Sequence, residues 1–331
     1  MHEDLNFNTQ VLWAYYHGQV GEDEWTELKK CCKRPTDNAD PDECDWTHIP
    51  KSRENFNYVF DLSPCGKILN NIMNTDDSID PYNFYQDCYE TDVSKFRSQL
   101  QLSDEARKNP GSYFNRQSTD PSQGYACYNE QTALAYFNRS DFATAFHIDK
   151  AFYDAGGVFY DCNDELGKVY KTQHSDMTSQ FNNILNSLKN FKVLILNGDV
   201  DTVCNFLGDA RFIKRLAISR NMQPAGRGPW FYRKHVSGFT QRYIDSSNAT
   251  VDVLTVKGSG HMVPMDRPGP ALQMFSRFLD GTDYGKVDDK DIGVPDTLPY
   301  VKNPDSGAND GKLSVLMFVN FCIYWIQFLN I

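Results

Sequence analysis

Val193-Leu-Ile-Leu-Asn-Gly-Asp-Val-Asp201 decides how the rest of the chain is read. Four apolar residues in a row, with turn-forming Asn-Gly-Asp directly behind them, describe a short strand buried on both faces, as in a parallel sheet. Asp201 then falls on the loop just past the carboxyl end of that strand. Behind it, Phe206, Leu207, Ala210, Phe212, Ile213, Leu216 and Ala217 recur at helical spacing, with Asn205 placed to cap the helix. A second apolar strand, Val251-Asp-Val-Leu-Thr-Val256, runs into the loop Lys257-Gly-Ser-Gly-His261-Met-Val-Pro264. Between the two, the segments 230–233 and 239–244 are expected to form a β-hairpin around Ser237-Gly238. A helix from Pro270 to Leu279 is expected to place Leu272, Phe275, Phe278 and Leu279 on one face.

An acid after one parallel strand and a histidine after a later one is the order in which an α/β-hydrolase supplies the last two members of a Ser…Asp…His triad. The first member has no counterpart, because no Gly-x-Ser-x-Gly occurs in the 331 residues. Taken alone, Asp201 reads more readily as a turn or cap residue, and a lone loop histidine usually has no role. His17, His48, His147, His174 and His235 keep that bland reading.

Several separated segments, in order, resemble the serine carboxypeptidase family. They are Leu5-Asn-Phe-Asn with Ala14-Tyr-Tyr-His-Gly18, Cys31-Cys32, Asp80-Pro-Tyr-Asn-Phe-Tyr-Gln-Asp-Cys88, the stretch from Asn197 to Asp209, Gly258-Ser-Gly-His-Met-Val-Pro264, and Met274-Phe-Ser-Arg-Phe-Leu279. The resemblance covers roughly residues 3 to 280, and it is the agreement in order that makes it specific. It implies an α/β-hydrolase fold, here the C-terminal part of the sheet, with an inserted disulfide-stapled cap. It implies a peptide substrate, Asp201 as the triad acid and His261 as the general base, with Asp199 a structural hydrogen-bonding residue. Cys204 and Met262 match positions that line the substrate pocket, core packing by soft side chains being the alternative. The family's Gly-Glu-Ser-Tyr nucleophile segment precedes the Leu-Asn-x-Asn match. The chain is therefore expected to be the C-terminal portion of a carboxypeptidase, inactive as it stands. A catalytically inactive binding or stabilising protein is the alternative, and acyl transfer by the same triad stays open.

The nine cysteines show no Cys-x-x-Cys or His-Glu-x-x-His spacing, so no metal site is expected. By resemblance, Cys31 pairs with Cys65, Cys32 with Cys44 and Cys88 with Cys127, leaving Cys162 without a partner. Sequons at Asn138 and Asn248 suit a glycoprotein of the lysosome or the secreted class, although the charged start Met1-His-Glu-Asp shows no signal peptide. A net charge of −11 argues against a nucleic-acid partner. No cofactor is implied.

Helices are expected over 11–17 and 22–30, within a lead-in of residues 1–30. A cap or lid follows over 31–131, polar and rich in cysteine, and then the α/β core over 132–280. Residues 281–312 read as a polar linker. The uncharged stretch Leu313–Ile331 approaches the ~20 residues that cross a bilayer, so membrane contact through 313–331 and read-through of non-coding sequence are both open.

Overall fold

The computed structural model describes residues 2–34, 43–54, 57–74, 79–86, 136–159, 169–171 and 173–287. The expected Cys88–Cys127 bond, Cys162, most of the linker and the hydrophobic tail lie outside the described residues. Among the described residues no helix is long and apolar enough to cross a membrane.

The chain opens with α1 (Glu3–Tyr16) and α2 (Glu22–Lys30). α1 starts well before the expected Val11, because the His2 side chain accepts the Leu5 N–H and Glu3 and Asp4 favour the positive end of the helix. A small hairpin, β1 (Ser52–Glu54) and β2 (Asn57–Val59), and α3 (Pro64–Met73) follow. Phe7, Val11 and Leu12 of α1, Trp25 and Leu28 of α2, Trp46, and Leu69 and Ile72 of α3 form one buried cluster. Disulfides Cys31–Cys65 and Cys32–Cys44 bind the end of α2 to α3 and to the Cys44–Trp46 segment. Short helices α4 (Ser140–Ala145) and α5 (Lys150–Asp154) precede α6 (Thr178–Ser187).

The core is a mixed four-stranded sheet of β3 (Lys192–Gly198), β4 (Gln223–Tyr232), β5 (His235–Ile244) and β6 (Thr250–Val256), in the order β3-β6-β5-β4. β3 and β6 pair in parallel, with Gly198 opposite Val256, so both strands end at the same level. The other pairs are antiparallel. α7 (Phe206–Ser219) covers one face, where Phe212, Ile213 and Leu216 meet Ile195, Val251 and Val253. α8 (Val263–Asp266) and α9 (Pro268–Asp280) cover the other, where Ala271 and Met274 meet Trp230, Leu254 and Val256. Each such fully buried aliphatic side chain contributes about 1.5–3 kcal/mol. Asp252, a charge inside β6, is paid for by two hydrogen bonds from Arg242 and one from the Tyr284 hydroxyl.

Two local expectations need correction. The β4–β5 turn lies at Arg233-Lys234, both with positive φ (52° and 77°), and not at Ser237-Gly238. Gly238 is a strand residue. A Cβ there would sit 1.8 Å from the Thr255 carbonyl oxygen, whose N–H donor partner is the buried Trp230 indole at 2.8 Å. The second correction is the inner face of α9, which is Pro270, Ala271, Gln273, Met274 and Arg277, while Leu272 and Leu279 are exposed. Arg277 is buried because its guanidinium donates to the carbonyls of Tyr284 and Lys286.

Candidate active site

Because β3 and β6 are parallel neighbours that end together, the loops behind them emerge side by side. Asp201, 2% exposed, lies three residues past the end of β3. Its Oδ2 is 2.9 Å from His261 Nδ1, and its Oδ1 accepts the N–H groups of Val203 at 2.9 Å and Cys204 at 3.2 Å. The carboxylate is thus aimed by its own turn. In the neutral ring this contact sets the proton on Nδ1 and leaves the basic lone pair on Nε2, the arrangement a general base needs. Asp199 faces elsewhere, with Oδ1 accepting the Gly258 N–H at 2.7 Å. Burial pushes its pKa up against that hydrogen bond.

The two loops also touch through their backbones. The Val200 N–H donates to the Ser259 carbonyl at 3.1 Å, and a Cβ on Gly198 would lie 2.1 Å from that same oxygen. Residues 79–86, grouped with the cap on sequence, run along both loops. Pro81 accepts from the Thr202 N–H and hydroxyl, Phe84 N–H donates to Val200, and His261 N–H donates to the Tyr82 carbonyl at 2.7 Å. The Tyr82 ring meets the His261 ring edge-on at 5.0 Å. Asp80 completes the turn by accepting the Tyr82 N–H. Burial raises its pKa against the N–H groups of Tyr82 and Asn83, and the Asp201 carboxylate adds to the rise.

The serine carboxypeptidase family pattern matches residues 1–281. The chain belongs to that family. Serine carboxypeptidases have the α/β-hydrolase fold, and the mixed sheet agrees with it. The chain is 34% identical over 311 residues to the serine carboxypeptidase ctsa-3.1 of Caenorhabditis elegans, an alignment covering 82% of this chain and 54% of that protein. It is 35% identical over 303 residues to ctsa-3.2 of the same worm, covering 85% and 57%. With the lysosomal protective protein of Mus musculus it shares 30% over 305 residues, covering 85% and 56%. The chain spans about half the length of these curated relatives.

Cys204, matched by resemblance to the substrate pocket, sits beside Asp201 and His261. It is disulfide-bonded. Its sulfur, a carboxylate oxygen of Asp201 and a ring nitrogen of His261 lie within 4.8 Å of one another. A sulfur held in a disulfide offers no thiolate to a metal or a substrate, so this trio is no ready ligand set. Met262 stands 55% exposed beside His261. Asn248 is exposed on the β5–β6 turn, while the Asn138 amide is engaged with the Phe159 backbone. Sequence reasoning missed Asn6, Trp13, Asn83 and Asp266. Asn6 donates to the Val203 carbonyl at 2.9 Å, and the Trp13 indole donates to the Asp199 carbonyl, so α1 buttresses the loop that carries Asp201. The glycines at 198, 258 and 260 were the available signal that backbones meet there.

Proposed function

We propose that this chain carries the acid and base of a serine-type carboxypeptidase, which releases C-terminal residues from peptides. The 2.9 Å contact between His261 Nδ1 and Asp201 Oδ2 supports the reading best. In that chemistry a serine hydroxyl attacks the scissile carbonyl as His261 Nε2 takes its proton. The imidazolium, stabilised by Asp201, returns the proton to the leaving amine, and water then releases the acyl group by the same route. The nucleophile belongs to a segment outside these 331 residues, which contain no Gly-x-Ser-x-Gly, and the chain alone is inactive. Met262 lines the pocket, and residues 31–131 act as the cap. The two disulfides and the similarity to a lysosomal protein favour a chain made in the oxidising secretory route, with Asn138 and Asn248 as glycosylation sites.

Incubated with a fluorophosphonate, the chain is expected to stay unlabelled. A longer polypeptide that adds a Gly-Glu-Ser-Tyr segment is expected to label at that serine and to hydrolyse a blocked dipeptide. Stoichiometric labelling of the 331-residue chain would overturn the proposal.

A further inference from the structure

The histidine loop has little of its own to hold it. Gly258 sits at φ 68° and Gly260 has no side chain, so the backbone before His261 is intrinsically free. The helix behind it, α8, is only four residues long. Yet the ring must stay within hydrogen-bond distance of a carboxylate fixed independently by the Val203 and Cys204 N–H groups. Asp199 holds the start of the loop through the Gly258 N–H, and a second side chain reaches the residue directly before His261. Asp266, at the end of α8, accepts the Gly260 N–H on Oδ2 at 2.7 Å, and the same oxygen accepts the Asn83 amide at 3.2 Å. This ties the loop back to α8 and across to residues 79–86, whose Tyr82 carbonyl holds the His261 N–H. The fit leaves no slack, since a Cβ on Gly260 would lie 2.1 Å from that carbonyl oxygen.

We infer that Asp266, with Asn83, is a positioning residue that clasps the histidine loop and keeps His261 Nδ1 on Asp201. The inference rests on the assignment of His261 and Asp201 as base and acid. Both of its contacts in the clasp, a backbone N–H and a neutral amide, call for an acceptor oxygen and not for a charge. An asparagine at 266 can present Oδ1 in the same place, whereas alanine cannot.

Proton NMR of the chain itself tests the clasp, with the far-downfield Nδ1–H of His261 as the reporter. Asp266→Ala is expected to abolish that signal and to speed exchange of the His261 amide about tenfold, the consequence of losing one hydrogen bond's worth of restraint. The Trp230 indole resonance and the thermal midpoint should stay put. Asp266→Asn should restore the signal, and Asn83→Ala should broaden it. A signal and exchange rate unchanged in Asp266→Ala and Asn83→Ala would overturn the clasp, as would failure of Asp266→Asn to rescue. If the unaltered chain lacks the proton, or keeps it in Asp201→Asn, the acid–base assignment itself falls.

Discussion

At the scale of single residues, the choice between Asp199 and Asp201 turns on where each carboxylate finds its hydrogen bonds. Asp199 satisfies itself on the Gly258 backbone, and Asp201 on the imidazole. In a polypeptide that also carries the nucleophile segment, Asp201→Asn is expected to lower turnover by about 10⁴, because the ring loses its tautomer. Asp199→Asn should cost far less, since an amide oxygen can still accept the Gly258 N–H. Steady-state rates on a blocked dipeptide decide it, and the reverse ranking would show the acid to be misassigned. The positions of both were legible in the sequence, behind an apolar strand, but the choice of Asp201 over Asp199 came from the family resemblance. Asn83 and Asp266 were not legible, because a clasp made of one oxygen and residues 183 apart leaves no period or spacing to read.

Elements were legible where apolar pattern and end signals agreed. Asn205 does cap α7, its side chain accepting the Gly208 N–H at 3.0 Å. Asn205→Ala is expected to cost about 1 kcal/mol, and more where the bond from Asn205 to Asn6 is lost as well. Gly238→Ala should be the harsher change, because the new methyl meets the Thr255 carbonyl and the Trp230 indole inside the sheet. Urea denaturation of both variants checks the order, and a Gly238→Ala protein as stable as the parent would contradict the packing. The hairpin turn was misread for a related reason. Ser-Gly looks like a turn, yet this glycine is required by a close approach between strands, while Arg233-Lys234 adopts the turn against its own propensity. The inner face of α9 was misread because hydrophobicity alone ranks Arg277 and Gln273 as outward, whereas carbonyl acceptors draw them in.

For the whole molecule, buried carboxylates set the response to acid. Burial pushes Asp80, Asp199 and Asp209 up, so the folded chain holds protons that the unfolded chain has released. Stability from these groups rises as pH falls from neutral towards the unfolded value of about 3.9. Asp45 and Asp245 act in the opposite sense. Burial opposes their charge, but Thr47 and Asn8 at the first, and Arg220 and Ser247 at the second, hold them low. Their contribution is complete above about 3.9 and disappears as pH drops through their folded values. The thermal midpoint, followed by circular dichroism, should therefore be higher near pH 5 than at pH 7.5 and collapse below about pH 3.5. A midpoint that falls steadily from pH 7.5 to 5 would rule this out. Time enters through the same geometry. Asp201 meets His261 across 60 residues, Thr202 meets Pro81 across 121, and Asn83 meets Asp266 across 183. Closing such loops is costly before their contacts repay it, so the local hairpin and helices form early and these three joints close late. The contact between Asp201 and His261 is thus a property of the finished molecule, and a chain stalled at the last stage of folding would hold a well-made sheet with His261 not yet seated on its carboxylate.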